Sequence, residues 1–233
     1  MKDLTKMITG VLLVAAIMAF AGISVTAQDP TKVDAKHYKV EFENDKVRVL
    51  RVNYGMKEKS VMHQHPDAVV IALTDTRTKF TSADGKAEER GFKAGETLWT
   101  PAGTHLPENI GATPMQVILV ELKDGSGGGT MPAAADDPAK VAAKHHKVEF
   151  ENDRVRVFRS IIGPKEKTGM HAHPDNVVVF LTDSRVTSTM GDGKPEAAEG
   201  KAGQAIWRPA LKHDAENMND QPLEVIVVEL KGK

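Results

Sequence analysis

No cysteine occurs anywhere in the 233 residues, which excludes disulfides, thiolate nucleophiles and cysteine-ligated zinc. Aromatic residues are scarce: two Trp, two Tyr and seven Phe leave few rings for stacking bases or sugars. Neither sign of charge dominates, since 31 Lys and Arg face 32 Asp and Glu. Without a basic stripe, nucleic acid is not an expected partner. Beyond residue 27 no window carries a sustained apolar stripe of period 3.6, so long amphipathic helices are not expected either.

The one long apolar stretch lies at the start. Lys2 and Lys6 precede a run rich in Ile, Leu, Val and Ala, and the small residues of Val25-Thr26-Ala27 then provide a cleavage point before Gln28. Residues 1–27 are therefore expected to be a secretory signal peptide that is removed. The competing reading is an uncleaved anchor, because the run approaches membrane-spanning length. With cleavage, no stable membrane anchor remains and the protein is expected to be periplasmic or secreted. No cysteine stands at the cleavage point to carry a lipid.

The remainder of the chain is one sequence written twice. Residues 29–123 align without a gap onto 137–231 at a constant offset of 108, and 54 of the 95 aligned positions are identical. Identity at that level means a tandem duplication, not one continuous fold. The expected organisation is a first domain at 28–123, a flexible Gly- and Ser-containing linker at 124–135, and a second domain at 136–233. The two domains are expected to pack as a pseudo-dimer that covers edge strands.

Each unit has the pattern of short strands. Residues 39–42 and 47–52 flank the turn-forming Glu43-Asn44-Asp45, and 69–73, 77–81 and 115–122 are further apolar or β-branched runs. Asp84-Gly85 signals a hairpin. Many short strands divided by Gly, Pro and Asp indicate an all-β sandwich or barrel.

Histidines supply the chemistry. His63 and His65 stand at i and i+2, so both side chains leave the same face of a strand. His105 follows forty residues after His65, and His171, His173 and His213 repeat the set. Three imidazoles brought together can hold one metal ion and leave coordination positions open. Imidazole suits several ions, so Fe, Mn, Zn, Ni and Cu are not distinguished.

Around these histidines the sequence resembles the two motifs of the cupin family. Gly55 leads to His63 and His65, and Gly95, Pro101, Gly103, His105 and Asn109 come after them. In the second unit the matching residues are Gly163, His171 and His173, then Gly203, Pro209, His213 and Asn217. The resemblance covers nearly all of both units and implies two tandem small jelly-roll barrels, a bicupin. Three departures stand out. The glycine-to-histidine spacings differ from the family's. Its usual glutamate after the second histidine is replaced at Val69 and Val70, and at Val177 and Val178. Leu211 replaces the second-motif glycine Gly103, which predicts a different turn in the second unit.

The resemblance implies a divalent metal ion at each three-histidine set. It allows iron-dependent dioxygenase chemistry on a small polar or anionic substrate, because three neutral ligands leave the ion's charge uncompensated. A non-catalytic metal- or small-ligand-binding bicupin is the alternative, and a metal-free structural bicupin a third. No general base is evident, so catalytic residues are not assigned. Asp67 and Asp175 could turn an oxygen inward after the adjacent proline. Arg48, Arg51, Arg156 and Arg159 are expected on a solvated face, the alternative being an arginine inside the barrel that holds an anion. His37 and His145, at an element start, are expected at the surface. Trp99 and Trp207 are expected in the core. A small-molecule partner is expected, and a homo-oligomer is compatible with the sequence.

Overall fold

The computed structural model describes residues 28–232 except 126 and 128. The expected signal peptide lies outside the described residues, as does part of the linker. Each repeat opens with a four-residue helix, α1 (Pro30–Val33) and α2 (Pro138–Val141). Asp29 and Asp137 cap these helices by accepting a backbone N–H, and a proline fills the first helical position, where no donor is needed.

Nine strands follow in each repeat. In the first they are β1 (Tyr38–Glu43), β2 (Val47–Tyr54), β3 (His63–His65), β4 (Ala68–Ala72), β5 (Thr76–Ser82), β6 (Ala87–Phe92), β7 (Thr97–Thr100), β8 (Gly103–Asn109) and β9 (Met115–Leu122). In the second they are β10 (His146–Glu151), β11 (Val155–Ile162), β12 (His171–His173), β13 (Asn176–Phe180), β14 (Ser184–Met190), β15 (Pro195–Gly200), β16 (Ala205–Arg208), β17 (Leu211–Asn217) and β18 (Leu223–Leu230). They form a five-stranded sheet, β1-β2-β9-β4-β7, and a four-stranded sheet, β3-β8-β5-β6, with the same two sheets in the second repeat. Every pairing between these strands is antiparallel, and none joins one repeat to the other. The chain is thus all-β, as two jelly-roll barrels.

Alternation along the strands explains why the apolar runs are continuous. In β9, Met115, Val117 and Leu119 face the interior of their own barrel, while Ile118, Val120 and Leu122 face the other way. That outer face is not solvated. Val47, Val49, Val69 and Ile71 pack with Val155, Val157, Val177 and Val179 in one cluster that spans both repeats. A sheet buried on both faces has no polar side, so its strands read as unbroken aliphatic sequence. Burying each such side chain is worth about 1.5–3 kcal/mol. The barrels are joined by sheet faces, not by the edge strands expected to make the contact. Trp99 and Trp207 pack against the same cluster, in the expected role.

Polar ties at the rim of this interface come in reciprocal pairs. Arg51 donates to the carbonyl of Gly203 at 2.6 Å, and Arg159 to that of Gly95 at 2.5 Å. Gly95 and Gly203 have positive φ, +86° and +83°, and a Cβ on Gly95 would lie 3.3 Å from the Arg159 guanidinium. Glycine is therefore required twice over at this motif position, by the backbone and by the close approach. Arg154 pairs with Asp67 at 3.0 Å, and Lys46 pairs with Asp175. Asp67 and Asp175 also accept the backbone N–H of Ala102 and Ala210. They hold the two halves together and do not turn towards the histidines.

Candidate metal centre and ligand cavity

The third histidine of each set is delivered by strand register. In the first barrel β3 pairs with β8 so that His63 stands opposite His105, and in the second β12 pairs with β17 so that His171 stands opposite His213. Directly opposed residues share a face and lie within contact of one another. With His65 and His173 two places along, the three rings of each set share one interior face. Leu211 does not alter this. It pairs with His173 as Gly103 pairs with His65. The predicted change of turn is absent because Gly103 has no positive φ, and a Cβ there would meet its nearest atom at an ordinary 3.7 Å.

In the second barrel one ring nitrogen from each of His171, His173 and His213 lies within 4.8 Å of the others. Among the described residues, no other group of three or more His, Asp or Glu meets that condition. Each Nδ1 is engaged elsewhere: that of His171 with the Gly169 carbonyl at 2.7 Å, that of His173 with Glu229 at 2.7 Å, and that of His213 with the Ser188 hydroxyl at 3.3 Å. Nδ1 so occupied leaves Nε2 for a ligand, the usual division in metal-bound histidine. Nε2 of His171 is buried with no hydrogen-bond partner. Burial, reinforced by the neighbouring imidazoles, holds His171 down at about 4 and His213 at about 3. Both are neutral near pH 7, the form that binds metal. The residues present fit a divalent ion.

The first barrel is arranged differently. Ring centroids of His63 and His65 lie 5.1 and 4.7 Å from that of His105. Nε2 of His63 meets the Tyr38 hydroxyl at 3.1 Å, and Tyr38 in turn accepts from Tyr54 at 2.9 Å. The Nδ1 atoms of His63 and His65 bond the carbonyls of Val61 and Pro66. Burial depresses all three histidines, His105 to about 3.

Four interior features lie outside the sequence motifs. Glu121 and Glu229 sit inside the barrels, fully buried, opposite Arg48 and Arg156 in register. Arg156 donates to Glu229 at 2.8 Å and reaches Asp137 at 3.1 Å, so a chain Asp137–Arg156–Glu229–His173 backs the second set. Arg48 bridges Asp29 and Glu121 at 2.5 Å each, but Glu121 does not reach a histidine, and its Oε1 has no partner. Hence Arg48 and Arg156 are not on a solvated face. They point inward, as in the alternative expectation, but to the protein's own carboxylates. His37 and His145 are also buried, against the expectation. His37 stacks on Tyr54 at 4.4 Å between Asp34 and Glu58.

The fourth is His146 on β10, at the position Tyr38 holds in the first repeat. Its ring lies 4.7 Å from His171 and 5.8 Å from His173. Burial beside these histidines brings it down to about 2. Asn109 and Asn217, though motif residues, donate to backbone carbonyls such as those of Gly55 and Gly163 and fasten loops. Val70 and Val178, at positions where the motif resemblance implies a carboxylate, line the cavities, while Val69 and Val177 face the interface.

The cavities differ in size, about 610 Å³ in the first barrel and about 100 Å³ in the second. One phenyl ring also changes strand between them. Ala72 and Phe92 of the first barrel are matched by Phe180 and Gly200 in the second. Phe180 occupies the space over Gly200 so fully that a Cβ there would lie 2.5 Å from its ring.

No family model and no curated protein matches the chain. Solved structures do. Oxalate decarboxylase from Bacillus subtilis, determined at pH 4.6, aligns with TM-score 0.57 at 12% identity over 80% of this chain and 68% of that one. A second structure of that enzyme, from work on its Mn(II) centres, aligns with TM-score 0.55 at 13% identity over 81% and 70%. A cupin domain from Bordetella pertussis Tohama I matches 37% of this chain and 91% of its own at 22% identity, with TM-score 0.35. At such identities the likeness to the oxalate decarboxylase structures is one of fold: two small jelly-roll barrels in tandem.

Proposed function

We propose that this bicupin is an exported metal-binding protein acting on a small polar or anionic molecule, with a divalent ion held by His171, His173 and His213. The observation that carries the reading is the convergence of those three rings with every Nδ1 already bonded. The Mn(II) centres of the oxalate decarboxylase neighbour support a divalent ion in this fold. Export rests on the sequence of residues 1–27, and cell fractionation tests it, a cytoplasmic protein being the contrary result.

Within this proposal the substrate chamber is the first barrel. Its cavity of about 610 Å³ is of the size that takes small ligands. His63, His65 and His105 are its candidate metal ligands, and dioxygenase is the reaction class. A bound divalent ion would supply Lewis-acid or one-electron chemistry. Both nitrogens of His63 are engaged, Nδ1 by the Val61 carbonyl and Nε2 by the Tyr38 hydroxyl, so an ion there would take the place of the Tyr38 contact. A second reading, a non-catalytic metal-binding module, is favoured by the second cavity. About 100 Å³ leaves little room for a substrate beside an ion.

Elemental analysis of the full chain, purified without an affinity tag beside His171→Ala and His63→Ala, tests the proposal. One equivalent of metal lost with His171→Ala supports the second-barrel centre, and a further loss with His63→Ala supports the first. No metal in any sample after exposure to Fe, Mn, Zn, Ni or Cu overturns it.

A further inference from the structure

The chain holds nine histidines, and eight of them pair across the repeat at the offset of 108. His146 is the ninth, with Tyr38 as its counterpart. Its cross-strand partner changes too: Ser160 stands opposite His146, where Val52 stands opposite Tyr38. The two new residues bond each other, His146 Nδ1 to the Ser160 hydroxyl at 2.7 Å. That contact fixes the ring, which lines one cavity with His171, His173 and His213 but stands outside the 4.8 Å set that those three form.

His146 is 6% exposed and His171 fully buried, and Nε2 of each lacks a hydrogen-bond partner. A buried polar nitrogen without a partner is costly, and two facing one small cavity call for a shared occupant. Nothing in the first barrel is equivalent. There Nε2 of His63 is satisfied by the Tyr38 phenol.

We infer that His146 is a fourth ligand of the second barrel, which completes an all-imidazole centre with His171, His173 and His213. This rests on the metal-binding reading and narrows it. Four neutral nitrogen donors select a borderline first-row ion such as Zn, Cu, Ni or Co over oxygen-seeking Mg or Ca. A tetrahedral ion would then have no open position, and the His146 ring would close on the other three as the ion binds.

The experiment is a titration of the full chain, metal-free and labelled with ¹⁵N-histidine, with Zn(II) alone, following assigned imidazole resonances. Binding of the first equivalent with Nε2 signals of His146, His171, His173 and His213 all shifted supports the inference. The companion variant is His146→Tyr with Ser160→Val, a pair already accommodated at the same sites of the first barrel as Tyr38 and Val52. It is expected to weaken zinc binding by at least about 10-fold, and His146→Gln, a smaller change, should do the same. Three shifted histidines with His146 unmoved, and unaltered affinity in both variants, would overturn the fourth ligand while leaving the three-histidine centre standing. Failure of all second-barrel resonances to respond would overturn both. The resonance count is read on the unsubstituted chain, so it decides even if a variant does not fold.

Discussion

In the first barrel Tyr38 reaches across a roomy chamber to His63, and in the second His146 stands beside His171 in a space about one-sixth as large, about 100 against 610 Å³. Backbone and register hardly distinguish them, since His63 opposes His105 as His171 opposes His213. The difference lies in a few interior side chains. Ala72 and Phe92 against Phe180 and Gly200 move one phenyl ring to another strand, and Tyr38 and Val52 against His146 and Ser160 change the donors. Strand pairing thus decides where the imidazoles meet, and the side chains around them decide what can join them.

The largest expected effect comes from moving that ring back. Phe180→Ala should destabilise the chain by about 3–5 kcal/mol through the cavity it leaves, read by urea unfolding. Adding Gly200→Phe recreates the first barrel's Ala72 and Phe92 arrangement and should recover much of the loss. If the double variant is no better than the single one, the two positions do not share the space of one ring.

Next is the carboxylate behind His173. Glu229→Gln breaks the Arg156–Glu229–His173 chain and should lower metal affinity at the second barrel about 10–100-fold, measured by calorimetry. Glu121→Gln should leave that affinity unchanged, because Glu121 bonds Arg48 but no histidine. Equal losses in the two variants would show that the contact to His173 is not what orients the site.

Acid should weaken the metal-free chain in a defined window. His171 lies at about 4 and His105 and His213 at about 3 when folded, against an ordinary value near 6.5. Between those limits the unfolded chain binds protons that the folded chain refuses, so stability is full above about pH 6.5 and declines as pH falls towards 3. Urea midpoints should drop from about pH 7 to about pH 4.5. His146→Tyr with Ser160→Val should shallow the slope, since one depressed imidazole is gone.

The smallest effect is at the rim of the interface. Arg51→Ala removes the hydrogen bond to Gly203 together with contacts to Glu41 and Gln116 and should cost about 1–2 kcal/mol. Arg159→Ala should cost a similar amount, by its bond to Gly95. A much larger loss in one of them would mean that the halves lean on each other unequally.

Much of this architecture is legible in the sequence. Tandem identity exposes the two units, and the i, i+2 histidines with one distant partner expose the sets, because period-two alternation and motif order are local properties. Glu121 and Arg48 are within reach of the same logic. Glu121 shares strand parity with Met115, Val117 and Leu119, and Arg48 with Leu50, Val52 and Tyr54, which places both charges inside. A charge beside an aliphatic run suggests an exposed strand end, and that suggestion hides the pair. His146 is detectable by subtraction, as the histidine without a counterpart. Burial of His37 is not detectable, since it depends on Tyr54, Asp34 and Glu58 arriving from separate segments. Likewise the sheet-face contact between barrels depends on which outer faces meet, and strands buried on both sides look alike whatever covers them.

The reciprocal bonds from Arg51 to Gly203 and from Arg159 to Gly95 give the two halves matching roles, as in a symmetric pair of subunits. In such a pair every mutation is inherited by both sites at once. Encoding both copies in a single chain lifts that constraint. A tyrosine can persist on one side while a histidine occupies the other, and the shared framework that keeps both barrels in register is left untouched.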